Sequence, residues 1–287
     1  MLSLLYGLVA ALTWGLHDFC VRHLSQRLQS APMLLGSLVM GSLLLLGLIT
    51  VSGVWVQITV QVALFALASG ACYAAACFGL YKAFAIGPVR LVAPICAGYP
   101  VLSFALAAFM GQPIRVDQWL ATLAVVAGIG LVARQPVAGP DTTNRGAAMA
   151  WATLGAIGFA LTFALGQTAV HAAGPNIGQA DLSITLMSRL AAVVIVGGWV
   201  IYSRLPLAPL RPHLPLLGLM GLLDVTALAL VLAAGGLANP EFASVASSLF
   251  GLVTILLAWR FLHERMVTLQ WGGVGFVFAG IAWLAAG

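Results

Sequence analysis

Apolar segments of about 20 residues follow one another along almost the whole chain, and this succession limits most strongly how the chain can fold. Polar residues, Gly or Pro separate the segments, which cover residues 3–22, 32–51, 60–81, 89–110, 117–134, 147–170, 182–203, 214–234, 241–261 and 267–286. A segment of this length and hydropathy is long enough to cross a lipid bilayer as a helix. The sequence therefore predicts an all-α integral membrane protein with ten transmembrane helices.

The composition excludes an ordinary water-soluble domain. Charged residues make up 7% of the 287 residues and hydrophobic residues 62%, whereas a soluble domain carries roughly 25% charged residues. A water-facing surface built from this composition would expose large apolar patches. The net charge of +5 comes from Lys and Arg that are scattered singly, without the basic run that nucleic-acid binding requires. We expect the lipid bilayer as a partner and nucleic acid not to be one.

The second half of the chain aligns on the first at a constant offset of 152 residues. The alignment places Pro88 on Pro240, Gln118-Trp119 on Gln270-Trp271 and Gly128-Ile129 on Gly280-Ile281. Because each half holds five segments, an odd number, the second copy enters the membrane from the opposite side. This predicts two inverted five-helix repeats, 1–134 and 146–287, joined by a Pro- and Gly-containing linker at 135–145.

Basic residues near the ends of the segments predict the orientation in the membrane. The odd-numbered connections carry ten of them: Arg22, Arg27, Lys82, Arg90, Arg134, Arg145, Arg204, Arg211, Arg260 and Arg265. The even-numbered connections carry only Arg115. The positive-inside rule then predicts cytoplasmic odd-numbered loops, and it places both termini outside a multi-pass protein of the inner (plasma) membrane.

Short motifs accompany this layout. They are Pro88 and Pro240 near the starts of the fourth and ninth segments, Tyr6-Gly7 and Trp14-Gly15 in the first, and Phe261-Leu262-His263-Glu264-Arg265 before a last segment that holds Gly272, Gly273, Gly275 and Gly280. Together with the ten segments in two halves, these motifs resemble the drug/metabolite transporter superfamily in its ten-helix metabolite-exporter (EamA-type) branch. Within that branch the chain looks most like the aromatic amino-acid exporters.

The resemblance implies export of small metabolites across the inner membrane. It also implies a cavity surrounded by segments one, three, four, six, eight and nine, with five and ten as scaffold. The sequence differs from the family pattern in two places, and these differences limit which family properties the resemblance implies. Gly111-Gln112-Pro113 stands where the second half has His263-Glu264-Arg265, so a role of that acidic-basic pair is confined to one half. The first segment lacks the Glu on which the small four-helix multidrug members rely, so their proton-exchange mechanism is not implied.

Ionisable residues inside apolar segments are costly and need a partner, a water-filled cavity or a function. Asp224 lies near the middle of the eighth segment and Arg189 near the middle of the seventh, which suggests a charge pair. The pair is either a structural clamp or a direct part of substrate binding or coupling. In the first segment, Asp18 either forms a helix-end ion pair with Arg22 or faces the cavity. His17 either lines the cavity or packs in the core.

Aromatic and small polar residues at mid-segment depth predict the substrate-binding wall. The candidates are Trp14, which shares a helical face with His17 and Asp18, together with Tyr73, Tyr99, Thr162, Phe163, Ser244 and Ser248. Tyr99 stands between Gly98 and Pro100, where the helical backbone ladder is expected to break. Tyr73, Cys77 and Tyr81 follow one face of the third segment. The Ser and Thr stripe of the ninth segment is either this wall or a helix-packing seam.

No nucleotide-binding, zinc-protease or serine-hydrolase motif occurs in the sequence, so no cofactor, metal or catalytic residue is predicted. The leading hypothesis is a secondary transporter that exports small amphipathic metabolites, aromatic and other apolar amino acids in particular, through alternating access of one central cavity. The rivals are an intramembrane enzyme acting on lipids or isoprenoids and a non-transporting membrane scaffold. The oligomeric state is left open, and a monomer is compatible with the sequence.

Overall fold

A computed structural model describes residues 2–53, 58–102, 105, 115–134, 144–174, 180–237, 240–264 and 266–286. Its α-helices are α1 (Leu2–Ser25), α2 (Ser30–Ser52), α3 (Val60–Ile86), α4 (Val89–Ala97), α5 (Val116–Arg134), α6 (Arg145–Ala173), α7 (Ala180–Tyr202), α8 (Leu214–Ala233), α9 (Glu241–Ser247), α10 (Phe250–Phe261) and α11 (Thr268–Ala286). Short 3₁₀ helices at Ala208–His213 and Ala234–Gly236 flank α8. Within the described ranges there is no strand, which confirms the all-α prediction for them.

Among the described residues, seven helical stretches are long and apolar enough to cross a membrane. They are Leu2–Ser25, Ser30–Ser52, Val60–Ile86, Arg145–Ala173, Ala180–Tyr202, Ala208–Gly236 and Phe242–Phe261. They correspond to seven of the ten predicted segments, and a shorter apolar helix, Val89–Leu102, covers part of the fourth. The prediction of a helical membrane protein is therefore confirmed. Gly111-Gln112-Pro113, Arg265 and linker residues 135–143 lie outside the described residues.

Local chemistry accounts for several helix ends. Gly53 ends α2 in the left-handed conformation (φ 68°), where its N–H reaches the carbonyls of Ile49 and Thr50. A residue with a side chain adopts this conformation at a cost, so glycine is favoured there. At the start of α3, the Thr59 hydroxyl accepts a hydrogen bond of 3.4 Å from the N–H of Val62. A threonine cap of this kind satisfies an N–H that the helix leaves unpaired.

The predicted ninth segment is not one continuous helix but two, because α9 ends at Ser247 and α10 starts at Phe250. Around the break the N–H of Ser248 reaches Val245 O at 3.1 Å, three residues back instead of four. The hydroxyls of Ser247 and Ser248 bond the carbonyls of Ser244 (2.9 Å) and Val245 (2.6 Å). Such side-chain bonds compete with the helix ladder, which gives the break its physical basis.

The fourth predicted segment breaks at a comparable place. Helix α4 ends at Ala97, three residues after the internal Pro94. The N–H of Gly98 then bonds Ile95 O, and the N–H of Val101 bonds Gly98 O, each at 3.1 Å and each three residues back. The Pro and Gly residues that flank Tyr99 in the sequence therefore mark a real change in the helix ladder.

The helices pack in matching pairs. Helix α3 packs against α6 and α7. In the same way, α8 packs against α1 and α2. Helix α1 also packs against α9 and α10, as α6 does against α4. Helix α5 packs along α11. The predicted repeat matches α1 with α6, α2 with α7, α3 with α8, α4 with α9 and α10, and α5 with α11. Exchanging the matched helices converts each contact named here into another of them, and the α5–α11 contact into itself.

The distribution of polarity is inverted relative to a water-soluble protein. The outward-facing side chains of Val51, Val194 and Ile201 are exposed by 90%, 73% and 78%. The largest fully buried side chains include Arg189 and the tyrosines Tyr73, Tyr81 and Tyr99. An apolar exterior around a polar centre is what a lipid environment requires, because ionisable groups there face the bundle interior. The buried polar side chains at the centre of the bundle are thus the candidate functional residues.

Candidate functional site

Asp224 is the centre of a buried hydrogen-bond cluster that joins four helices. Its Oδ2 accepts from Arg189 Nη1 of α7 at 2.6 Å. Its Oδ1 accepts from Trp14 Nε1 of α1 at 3.0 Å and from the hydroxyl of Tyr73 on α3. Both oxygens of a carboxylate that is only 4% exposed on α8 are therefore occupied. Several donors to one buried carboxylate offset much of its desolvation cost.

Arg189 extends this cluster to α2. Its Nη2 donates to the carbonyls of Leu38 (3.3 Å) and Ser37 (3.5 Å), while Nη1 holds Asp224. The side chain is completely buried. Removing one member of such a pair leaves an uncompensated charge in the interior, and this costs about 3–5 kcal/mol. Arg189 and Asp224 thus connect α2, α7 and α8 at mid-bundle depth.

A second polar group lies one turn along α1. His17 Nδ1 is 2.9 Å from Asp18 Oδ1, and His17 Nε2 is 3.0 Å from the hydroxyl of Tyr81 on α3. Asp18 and His17 are each 2% exposed. The alternative of a helix-end ion pair between Asp18 and Arg22 is wrong, because Arg22 Nη2 instead lies 3.3 Å from Glu264. The Arg22 side chain reaches the less buried end of the bundle, whereas Asp18 points towards its centre.

These two groups share a small central cavity of about 10 Å³. Its lining residues are Trp14, His17, Asp18, Tyr73, Cys77, Leu80, Phe159, Phe163, Asp224 and Phe250. They come from α1, α3, α6, α8 and α10, which belong to five of the six segments predicted to surround a cavity. A volume near 10 Å³ holds about one water molecule, so a larger ligand requires the surrounding helices to separate.

Aromatic rings form one side of the cavity. Phe159 and Phe163 stack with an interplanar angle of 15° and ring centroids 5.9 Å apart. The Trp14 ring lies 5.5 Å from Phe163, and the Phe250 ring meets Trp14 edge-on at 6.4 Å. Tyr99 contacts Phe163 edge-on at 5.0 Å from behind, outside the cavity lining. This arrangement suits a planar apolar group, since aromatic pairs favour stacked and edge-on geometries.

The structure brings only some of the sequence-predicted residues to the cavity. Trp14, His17, Asp18, Tyr73, Phe163 and Asp224 line it. Tyr99 stands behind Phe163, and its hydroxyl bonds the carbonyl of Ser244 and lies 2.5 Å from Ser247 Oγ. Thr162 and Ser248 instead donate to backbone carbonyls four and three residues earlier in the chain, at 2.8 and 2.6 Å. Those two hydroxyls make local backbone contacts.

Sequence reasoning gave no role to two residues at the bundle centre. Tyr81 lies outside the cavity lining and contacts His17, and it carried a usable signal, because it follows Tyr73 and Cys77 at four-residue spacing on α3. Phe250 carried none, since one phenylalanine in an apolar segment resembles many others. It faces the cavity because α10 starts beside the break at Ser248.

A cluster at the helix ends, which we call the end cluster, comprises Arg22, Phe84, Val89, Arg90 and Glu264. Besides its contact with Arg22, Glu264 accepts from the N–H groups of Val89 and Arg90 at 3.3 and 3.5 Å. Arg22 Nη1 donates to the carbonyl of Phe84 at 2.6 Å. The end cluster therefore ties together the ends of α1 and α3, the start of α4 and the segment after α10.

Metal binding and a second, larger cavity were the other candidate features among the described residues. No group of three or more His, Cys, Asp or Glu side chains there could hold a metal ion. A larger cavity of about 670 Å³ opens between α3, α6 and α7, with Phe78, Trp151 and Trp199 in its wall. No Asp, Glu, His, Lys or Arg contributes to that lining. Ionisable side chains instead line the central cavity and a cavity of about 250 Å³ at the end cluster.

Comparison with known proteins gives a family and a fold. The model of the EamA-like transporter family matches residues 1–134 and 146–286. A solved crystal structure is similar with a TM-score of 0.69 at 14% sequence identity, over 98% of this chain and 97% of the other. At that identity the likeness concerns the fold alone. No curated protein matches the sequence significantly.

Proposed function

Because the chain belongs to the EamA-like transporter family, we propose that it is a secondary transporter that exports small amphipathic metabolites, aromatic and other apolar amino acids in particular. The family consists of membrane transporters, which are not enzymes. The observation that carries the substrate proposal is the central cavity, where stacked rings share the lining with two buried carboxylates. A few convergent polar groups in a largely apolar pocket are typical of small-molecule sites.

An inverted repeat of two five-helix units supports alternating access in this proposal. The two segments matched by the family model fall on either side of the predicted linker. A Cβ added to Gly128 would lie 2.6 Å from Gly273 O, and one added to Gly280 would lie 2.7 Å from Ala121 O. Both glycines, and also the residues they approach, differ by 152 positions, which is the offset of the sequence alignment. Paired close approaches of this kind are what a pseudo-twofold relation between the two halves predicts, and they support the proposal.

The broken helices supply candidate hinges. The ladder changes at Gly98 in the first half and at Ser248–Leu249 in the second, positions that match within two residues at that offset. Short stretches with three-residue hydrogen bonds often mark hinges, and discontinuous helices commonly flank transporter sites. The break at Ser248 lies directly before Phe250, which lines the cavity. Bending there would separate Phe250 from Trp14 and enlarge the cavity.

The end cluster supplies a candidate gate on one side. It lies among the first, third and ninth connections, which the charge distribution predicts to be cytoplasmic. In this proposal the Arg22–Glu264 contact breaks when the cavity opens towards the cytoplasm. The first half offers no equivalent acidic-basic pair, because Gln112 occupies the position that matches Glu264. A gate at the matching end of the first half would therefore need different chemistry.

The test of function is counterflow in proteoliposomes that contain the purified protein. Labelled phenylalanine, tryptophan, threonine and a lipophilic cation are offered with and without an imposed pH gradient. We expect the aromatic amino acids to move fastest, and the response to the gradient reports whether protons are coupled. Absence of transport for every compound, with folded protein, contradicts the substrate proposal.

The ring wall is tested by a matched pair of variants. Phe163→Leu removes a ring from the central cavity. Phe78→Leu removes a ring that packs on Trp151 in the larger cavity between α3, α6 and α7. We expect Phe163→Leu to lower phenylalanine transport roughly tenfold, because an aromatic contact of about 1.5 kcal/mol is lost. Phe78→Leu is expected to leave transport near the wild-type rate. Equal effects of the two variants would contradict a central aromatic site.

A further inference from the structure

The charges around the central cavity do not balance. Asp224 is matched by Arg189, with Nη1 and Oδ2 2.6 Å apart, and both of its oxygens accept hydrogen bonds. Asp18 pairs only with the imidazole of His17, and among the described residues no Lys or Arg forms an ion pair with it. The lining thus carries one carboxylate for which this part of the chain provides no permanent cation.

One of the two oxygens of the Asp18 carboxylate also accepts no hydrogen bond from the described residues. His17 occupies Asp18 Oδ1, while Oδ2 is buried and has no hydrogen-bond partner within the described ranges. Asp18 is 2% exposed and lines the cavity. Buried polar atoms are almost always paired in folded proteins, so an exception calls for an explanation. A free acceptor in the wall of a binding cavity is explained by a donor that arrives with the ligand.

The contacts on the other side of His17 hold Asp18 in place. The hydroxyl of Tyr81 lies 3.0 Å from His17 Nε2, while Nδ1 faces Asp18. A neutral imidazole with its proton on Nδ1 accepts from Tyr81 and donates to Asp18, so both nitrogens are satisfied. This arrangement fixes the orientation of the Asp18 carboxylate, with Oδ2 as the available atom.

The neighbouring rings favour the same kind of ligand. Trp14, Phe159 and Phe163 share the cavity lining with Asp18. Aromatic faces attract cations, and they do so more strongly where water is excluded. An anion would meet both the ring faces and the Asp18 carboxylate, and neither attracts it. The electrostatics of this side of the cavity therefore select a positive group.

We propose that Asp18 Oδ2 is the binding site for a protonated amine of the transported molecule. The inference rests on the proposed function and deepens it, because it assigns the polar end of the substrate to one atom. A substrate then needs an ammonium group next to an apolar or aromatic body, and its carboxylate is not essential for recognition. Primary arylalkylamines belong to the ligand class together with amino acids.

The experiment measures equilibrium binding to the full-length protein in nanodiscs with three labelled probes. L-phenylalanine and 2-phenylethylamine carry the ammonium group, whereas 3-phenylpropionate carries only the carboxylate. We expect the two amines to bind the wild type and 3-phenylpropionate to bind at least roughly tenfold more weakly, the effect of one charge-assisted hydrogen bond. This comparison needs no variant, so it holds whether or not a substitution disturbs folding.

A variant pair then locates the effect. Asp18→Asn keeps the shape and removes the charge, and we expect roughly tenfold weaker binding of both amines. The control is Asp181→Asn, which removes a half-buried carboxylate in the first turn of α7, outside the cavity lining. It is expected to bind the amines as the wild type does.

Three outcomes overturn the assignment. The first is binding of 3-phenylpropionate by the wild type as tight as that of 2-phenylethylamine. The second is unchanged amine binding by folded Asp18→Asn, and the third is binding of none of the three probes. Counterflow of other solutes in proteoliposomes would then leave the transporter proposal standing. Loss of both binding and counterflow would contradict the two together.

Discussion

The two carboxylates of the central cavity are alike in burial and differ in how they are held. Asp224 is held by Arg189, Trp14 and Tyr73, which come from three different helices. Asp18 is held by His17, its neighbour in the chain, and keeps one oxygen free among the described residues. A fully partnered carboxylate resists change, whereas a partly partnered one can accept a ligand. We therefore propose that the same chemical group is a structural clamp at Asp224 and a ligand contact at Asp18.

The difference shows why burial alone does not identify function in a membrane transporter. Both side chains are almost inaccessible, at 4% and 2% exposure. The two carboxylates differ in the number of hydrogen-bond donors that they accept from. This difference matters because an unpaired buried acceptor destabilises the folded state unless something binds it. Substitutions at the two positions should therefore have opposite signatures in stability and in transport.

The largest effect on stability is expected for Asp224→Asn. The variant leaves Arg189 as an unpaired buried cation, at a cost of about 3–5 kcal/mol. We expect loss of folded, monodisperse protein, measured by size-exclusion chromatography and thermal unfolding. The double variant Arg189→Met with Asp224→Asn removes the stranded charge while an acceptor stays for Trp14 and Tyr73. It is expected to recover part of the stability, and a double variant no better than Asp224→Asn would refute the clamp.

A smaller loss is expected for Tyr73→Phe, which deletes one donor to Asp224 and leaves the ring in place. Hydrogen bonds to charged groups contribute about 1.5–3 kcal/mol. The variant should fold, with a lower unfolding temperature than the wild type. Tyr202→Phe provides the control. Tyr202 lies at the end of α7 and is 83% exposed, so loss of its hydroxyl breaks no buried hydrogen bond. Equal unfolding temperatures for the two variants would show that the Asp224 cluster does not depend on Tyr73.

A modest effect on stability, but a large one on access, is expected for Glu264→Gln. The Arg22 and Glu264 side chains are 17% and 12% exposed, and the Gln amide oxygen still accepts a hydrogen bond, so we expect a loss of about 1 kcal/mol. In a protein whose remaining cysteines are replaced by alanine, Cys77 reports on the cavity that it lines. We expect faster labelling of Cys77 by a thiol reagent applied from the side that the end cluster faces, because the proposed gate there is weakened.

The matched control for this gate is Asp117→Asn, which removes the ion pair with Arg115 at the exposed start of α5. It should leave Cys77 labelling unchanged. If both variants accelerate labelling equally, or neither does, the end cluster is not a gate.

The smallest effect on stability is expected for Asp18→Asn. The amide keeps an acceptor for His17 and removes a charge that no described Lys or Arg compensates, so the unfolding free energy should change by less than about 1 kcal/mol. Transport of amine-bearing substrates should nevertheless fall sharply. A loss of stability as large as that of Asp224→Asn would erase the distinction between the two carboxylates.

The sequence predicted the helices well because hydropathy and segment length are local properties. The segment 182–203 became Ala180–Tyr202, and 214–234 became Leu214–Ala233. It also pointed to Arg189 and Asp224, since charges are so rare in these segments that each one requires an explanation. The break inside 241–261 was missed, because the local serine bonds that cause it do not interrupt the apolar pattern.

What the sequence determined by itself was an all-helical membrane protein and most of the polar residues that its centre holds. Only the tertiary structure decided the partners. It paired Asp18 with His17 instead of Arg22, placed Phe250 in the cavity, and brought Glu264 to the start of α4, 175 residues away from Val89 along the chain. The periodicity of a helix fixes which face a residue occupies. It does not fix which helix lies opposite, because that depends on how all the helices pack together.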